Sequence, residues 1–337
     1  MKNLIKTIQN AAFQQGLWQR GSKIVLGVSG GPDSVCMLDI MAKIAPKYDL
    51  QLIIAHINYG LRGKDSDKDE EFVRKLAGKY GIQIFTLILP HPPAKPHPAL
   101  RATLSLKKER KIRKIHSENE LRNIRYEFFE KVRKQNKLDL IAVAHNADDQ
   151  VETFLMRLIR GAGLQGLSGM KYKNEKIIRP LLGISRKEIL GYLDKTNRTY
   201  RADRTNAENL FLRNKIRNKL IPYLKKNFNP GIKKTILDSA VSIADDYSLL
   251  SDIAEKEAEK MKNLSVKKLL NLHPSLQKMA LLNFIFKIKG NLKDIESAHV
   301  EEILKAVKST KSKNQIVIFK GLKLTRKGDK IIISHNL

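Results

Sequence analysis

The stretch Ser29-Gly30-Gly31-Pro32-Asp33-Ser34 (SGGPDS, 29–34) stands between the apolar run KIVLGV and the helical pattern VCMLDIMAK. A Ser-Gly-Gly turn from strand to helix lets successive backbone N–H groups point into one concavity. Glycine tolerates positive φ there and lets a ligand's oxygens approach the backbone. The helix that follows adds the positive end of its dipole. Ser29 and Ser34 each offer a hydroxyl, and Asp33 is placed to hold a magnesium ion on bound phosphates. A glycine pair after a strand is also an ordinary turn, so the stretch alone leaves both readings open. The Walker pattern is absent, because no Gly-Lys-Ser/Thr follows.

Working outward, continuous apolar runs at 24–28, 50–57, 82–89, 138–144 and 177–182 predict strands covered on both faces. Helical patterns at 34–45, 66–80, 118–136, 148–160 and 185–196 alternate with them, after a short amphipathic helix at 2–17. This alternation predicts an α/β fold with a parallel sheet, in which ligands bind beyond the carboxyl ends of the strands. Residues 91–116 break the rhythm: they begin Pro-rich and end in a basic run, and read as an exposed insertion, either a linker or an RNA-contacting loop. Beyond about residue 214 the pattern becomes helical over 232–308 and ends in short strands around Lys327-Gly328-Asp329. The expected organisation is a catalytic domain over 1–215 and a smaller, mainly helical domain over 216–337. Pro222 is expected to kink or end the basic helix in which it lies.

The 337 residues carry 64 Lys and Arg against 34 Asp and Glu, a formal charge of +30. Such an excess points to a polyanionic partner, most simply nucleic acid, with a highly charged soluble surface as the alternative. Cys36 is the only cysteine, which excludes a disulfide framework and a thiolate zinc set and fits a reducing cytoplasm. No stretch is long and apolar enough to span a bilayer, so a soluble cytoplasmic protein is expected.

SGGPDS in its strand–turn–helix setting resembles the SGGxDS pyrophosphate loop of the N-type ATP pyrophosphatases, the PP-loop family. That resemblance implies cleavage of ATP between its α and β phosphates, with Mg2+, to activate an oxygen on a second substrate. Four further stretches resemble signature blocks of the tRNA(Ile)-lysidine synthetases within that family: HINYGLRGKDSDKDEEFV (56–73), ELRNIRYEFF (120–129), AHNADDQVETFLMRLIRGAGLQGLSGM (144–170) and RTNAENLFLRNKIRNKLIPYL (204–224). Leu121 replaces the small residue usual before the first arginine of the second block. The region beyond 224 is similar only in size, order and general character. The implied reaction adenylates C2–O of the wobble cytidine in an isoleucine tRNA with a CAU anticodon. Free L-lysine then displaces AMP, giving lysidine.

The resemblance assigns ATP binding to Ser29, Gly30, Gly31, Pro32, Asp33 and Ser34, with the backbone at Ala55 and His56 facing adenine. Lysine binding falls to His145, Asp149 and Glu152. The two carboxylates, at i and i+3, share a helix face that suits a cationic amine. The alternative for Asp148 and Asp149 is first-turn placement favoured by the helix dipole. Asp33, Arg122, Arg125 and Arg213 are the expected catalytic residues. Arg122 and Arg125 lie close enough on one helix to reach one anion. Arg62 and Arg217 are the expected tRNA contacts, with a solvated helix face as the alternative for Arg217. Other PP-loop ATPases acting on RNA, or a non-catalytic RNA-binding protein, are the competing functions. The oligomeric state, monomer or homodimer, is not legible.

Overall fold

The computed structural model describes residues 3–61, 63–89, 118–201, 212–261, 264–292, 294–311 and 313–336. They divide into two compact units, Met1–Ala240 and Val241–Leu337.

The first unit opens with α1 (Leu4–Gln14), capped by Asn3, whose side chain accepts from Lys6 N. There follow β1 (Lys23–Gly27), α2 (Pro32–Tyr48), β2 (Gln51–Asn58), α3 (Lys64–Tyr80), β3 (Ile84–Ile88), α4 (Glu118–Gln135), β4 (Leu140–Ala142) and α5 (Ala147–Ile159). A short α6 (Leu164–Leu167), the strands β5 (Lys173–Asn174) and β6 (Ile177–Ile178), and α7 (Arg186–Lys195) complete the α/β core. The sheet order is β3-β2-β1-β4-β6-β5, parallel throughout except for β5. The expected fifth strand is only two residues long, because Pro180 has no N–H to continue the ladder. Its parallel pairing on β4 is nonetheless made.

Each central strand is buried on both faces, which is why the runs are continuous. Ile24 and Leu26 point into the core formed with α1, α2, α3 and α7. Val25 points the other way, into a second core with Phe129 and Val132 of α4. From β1 the chain winds to β2 and β3 on one side and returns to β4 on the other. The switch point therefore lies between β1 and β4, and a crevice opens beyond their carboxyl ends.

Helical structure resumes with α8 (Leu212–Lys215), a π-helical turn (Ile216–Leu220) and α9 (Ile221–Asn227), followed by α10 (Ile232–Lys260). Pro222 does not end this run. It sits in the first turn of α9, where its missing N–H costs little, and the wider π turn directly precedes it. The two compact units meet at 240/241, 25 residues beyond the expected domain boundary at 215/216. Residues 216–240 stay with the first unit because Ile216 and Ile221 are buried, Arg217 pairs with α5, and Lys233 pairs with Asp148.

The second unit contains α11 (Val266–Leu270), α12 (Pro274–Lys289), α13 (Ser297–Lys308) and the antiparallel meander β7 (Gln315–Phe319), β8 (Leu322–Lys327), β9 (Lys330–His335). Its core joins Leu281, Ile285, Ile303 and Val307 from the helices to Leu322 and Leu324 of β8. Asp329, in the turn before β9, caps α11 by accepting from Ser265 Oγ and Lys267 N, both at 2.7 Å. No described helix is long and apolar enough to cross a membrane.

Candidate active site

The Ser29–Ser34 loop leaves β1 and turns into α2, as its composition requires. Gly30 adopts φ +87°, and a Cβ there would lie 3.3 Å from Val73 Cγ2. Arg201 N–H donates to Gly30 O at 2.9 Å. In a trans peptide the following N–H, that of Gly31, points the opposite way. Ser34 Oγ donates to Gly31 O at 2.9 Å and accepts from Ser29 N–H at 3.2 Å, so the loop is closed on itself. A cleft of about 380 Å³ lies against it. Ser29, Gly31, Asp33 and Ser34 line one side of that cleft, and Ala55, His56 and Tyr59 another. Arg125, His145 and Arg201 line it as well. Gly27, at the end of β1, has no room for a side chain: a Cβ would stand 2.6 Å from the Phe129 ring.

His56 is buried, with Nδ1 at 2.8 Å from Val28 O, and burial holds its pKa below the ordinary histidine range. Cys36 is buried in α2, and burial, with Asp33 and Asp39 nearby, pushes its thiol up to about 12. A protonated buried thiol is a packing residue. Burial likewise pushes the Asp33 carboxyl up to about 6, Asp149 adding to the shift and Arg186 opposing it. Asp33 Oδ2 accepts from Arg186 Nη1, whereas Oδ1 is buried and, among the described residues, makes no well-formed hydrogen bond, although the Asn146 side chain is near enough to oppose the upward shift. Magnesium suits that orphaned oxygen, since it takes one or two carboxylates and completes its shell from phosphates and water. Among the described residues no cluster of three His, Cys, Asp or Glu side chains is fit to hold a metal.

Beyond β4, His145 precedes α5, whose N-cap is Asn146. Asn146 and Asp149 form a capping box: Asp149 N donates to Asn146 Oδ1 at 3.0 Å and Asn146 N to Asp149 Oδ2 at 2.9 Å. Asp149 is therefore a first-turn residue, and its other oxygen is free for other work. That oxygen accepts from Arg213 Nη2 at 2.6 Å. Arg213 Nε donates to Glu152 Oε2 at 2.8 Å, and Arg217 grips Glu152 through Nε at 2.6 Å and Nη2 at 2.9 Å. Two carboxylates and two guanidiniums thus form one neutral cluster on α5. Burial, then the cations Arg179, Arg213, Arg122 and Arg125, push His145 down to about 3, so its ring is neutral and its buried Nδ1 is unpartnered.

Comparison with known proteins places these features in a family. A model described as a PP-loop domain matches residues 2–224. The tRNA(Ile)-lysidine synthase of Clostridium tetani is 35% identical over 92% of this chain and 65% of its own length. That of Clostridioides difficile is 32% identical over 96% of this chain and 68% of its own. The chain belongs to the PP-loop family, on its tRNA(Ile)-lysidine synthase branch. It spans about two thirds of the length of these relatives. A solved PP-loop neighbour, the U34-tRNA thiolase of Methanococcus maripaludis, superimposes with a TM-score of 0.53 at 21% identity, covering 72% of this chain and 80% of that one; the likeness is one of fold.

The PP-loop site gathers most of the residues marked in the sequence. Ser29, Gly31, Asp33, Ser34, Ala55, His56, Arg125 and His145 line the cleft, and Gly30 and Pro32 belong to the same loop. Arg125 Nε donates to Tyr59 OH at 3.0 Å, and Arg122 lies over the Tyr126 ring at 5.0 Å; among the described residues neither pairs with a carboxylate. Arg217 is drawn into the α5 cluster with Arg213 rather than standing on a solvated face. Arg62 and the 91–116 segment lie outside the described residues. Sequence reading missed Arg186, which holds Asp33, and Arg201, whose Nε donates to Asp69 Oδ1 at 2.7 Å beside the loop. Neither belongs to a motif with a local chemical rationale; only their partners, far away in sequence, reveal them. The tail of the 144–170 block has a structural task. Arg157 Nη1 holds Gly166 O at 2.7 Å and Gly169 O at 2.9 Å, and Gln150 brackets the Met170 peptide.

Proposed function

We propose that this chain ligates lysine to C2 of the wobble cytidine of isoleucine tRNA bearing a CAU anticodon, with ATP cleaved to AMP and diphosphate. One observation carries the reading: Asp33 at the start of α2 lines the cleft, and Arg186 ties it to Asp148 at the start of α5, one residue before Asp149. An ATP-cleaving loop and an acidic amine site so joined can share one reacting base. The names of the relatives point the same way.

In this reading the cytidine C2 oxygen attacks the α-phosphorus of ATP and diphosphate leaves. The Ser29–Ser34 loop and the positive end of α2 hold the phosphates, and Asp33 would hold Mg2+, which would supply charge neutralisation there. Arg122 and Arg125, both without carboxylate partners among the described residues, stabilise the charge that develops on the phosphorus oxygens. The lysine amine then attacks C2, AMP leaves, and the amine proton is lost. The Asp149 and Glu152 carboxylates are placed to accept it, and the neutral His145 ring orients the amine through its unpartnered Nδ1. Asp149 and Glu152 already carry Arg213 and Arg217, so amine binding is an exchange of cationic partners. The released guanidiniums then turn to tRNA phosphates. The second unit supplies further tRNA contacts, as the polyanionic partner expected for a chain of charge +30 requires.

Incubation with ATP, labelled lysine and the CAU-anticodon tRNA tests this. Incorporation of label that requires ATP and is abolished by changing the wobble cytidine supports the ligase. ATP cleavage with no lysine incorporated points to another acceptor and overturns the reading.

A further inference from the structure

Two guanidiniums flank the phosphate loop, and they differ in what holds them. Arg201 is tied to Asp69, a buried carboxylate of α3 with no place in the proposed reaction, so its charge is spent. Arg186 is tied through Nη1 to Asp33, the carboxylate whose other oxygen is open to a metal. The root of Arg186 is fixed: its backbone N–H donates to Asp148 Oδ2 at 2.8 Å, and it lies inside the capping box between Ser185 and Glu188. Its side chain, however, is 41% exposed and has room to turn.

We propose that Arg186 is a catalytic residue that turns from Asp33 to the diphosphate leaving group of ATP. The inference rests on the ATP-cleaving reading above. The loop supplies hydroxyls, backbone N–H groups and a helix dipole, which amount to partial charges. A departing diphosphate gathers several full negative charges and needs a full cation beside it. Lysine performs that task in Walker loops, and this loop has none. Arg186 stands at the first turn of α2 already, held by the one carboxylate that a metal would claim. Its planar fork suits bidentate contact with phosphate oxygens.

The full-length Arg186→Gln and Arg186→Lys variants test this by calorimetric titration with magnesium present. The probes are AMP, inorganic diphosphate, and an ATP analogue with a methylene bridge between the α and β phosphorus atoms. Arg186→Gln is expected to weaken diphosphate and the analogue at least tenfold while AMP affinity stays within about twofold. Arg186→Lys is expected to fall between the Gln variant and the wild type, and carries the test if the Gln variant does not fold. Unchanged diphosphate affinity overturns the inference, as does an equal loss for AMP, which would mark a structural role. A wild-type chain that binds none of the three probes overturns the ATP-cleaving reading itself.

Discussion

Glu152 and Arg217 meet as a fork, Nε to Oε1 at 2.6 Å and Nη2 to Oε2 at 2.9 Å, with the carboxylate almost wholly buried. The pair joins α5 to the π turn 65 residues later, and Arg213 completes it from the other side. A carboxylate neutralised this way is a structural tie, and in the proposed reaction the cationic amine would have to displace a guanidinium from it.

Glu152→Gln removes one charge and leaves two guanidiniums short of an acceptor. The expected cost is about 2–4 kcal/mol, below the upper end for buried pairs because Arg217 is partly exposed. Urea denaturation checks this. A change under about 0.5 kcal/mol would mean that the fork contributes nothing net.

Gly27 and Phe129 are packed so closely that neither side chain can grow alone. Gly27→Ala is expected to cost about 1–3 kcal/mol through overpacking. Phe129→Leu frees the space, so the double variant should be more stable than the two single losses added together. Strict additivity in a thermal melt series would contradict the contact.

Asp39 shows the same physics away from the cleft. Fully buried in α2, it accepts from Tyr80 OH and Tyr192 OH, both at 2.5 Å, and pairs with Lys43 and Arg198, both at 2.8 Å. Asp39→Ala leaves two cations without their carboxylate, for an expected loss of about 3–5 kcal/mol. Nucleotide affinity, measured well below the melting point, should be retained. A loss of affinity without a loss of stability would contradict a purely architectural role.

His145 sets a pH dependence. Its folded pKa of about 3 lies far below the ordinary histidine value of 6.5. Below 6.5 the unfolded chain takes up a proton that the folded chain refuses. Stability contributed by the neutral ring is thus complete above 6.5 and falls as pH drops toward 3, by up to about 1.4 kcal/mol per pH unit. His145→Asn is expected to flatten this part of the stability profile. Wild-type and variant profiles that run parallel from pH 7 to pH 4 would contradict a neutral His145.

The sequence made the order of strands and helices legible because parallel strands buried on both faces leave unbroken apolar runs, as at Ile24–Leu26 with Val25 facing the opposite core. The phosphate loop was legible because Gly30 must take positive φ. Long-range charge pairing was not. Arg217 on a basic helix reads as surface until Glu152 is seen beneath it, and the same pairing is why the first compact unit runs 25 residues past the expected boundary. Arg186 and Asp33 are 153 residues apart, and no local spacing announces such a pair.

The central claim is that one crevice runs two steps in order, adenylation at the Ser29–Ser34 loop and then displacement by lysine held at Asp149 and Glu152. A single-turnover reaction with doubly labelled ATP and CAU-anticodon tRNA, first without lysine and then with it, tests that order. The account predicts release of diphosphate in the absence of lysine with AMP retained on the tRNA, followed by AMP release and lysine incorporation when lysine is added. Diphosphate release that needs no tRNA, or AMP release that occurs without lysine uptake, would contradict it.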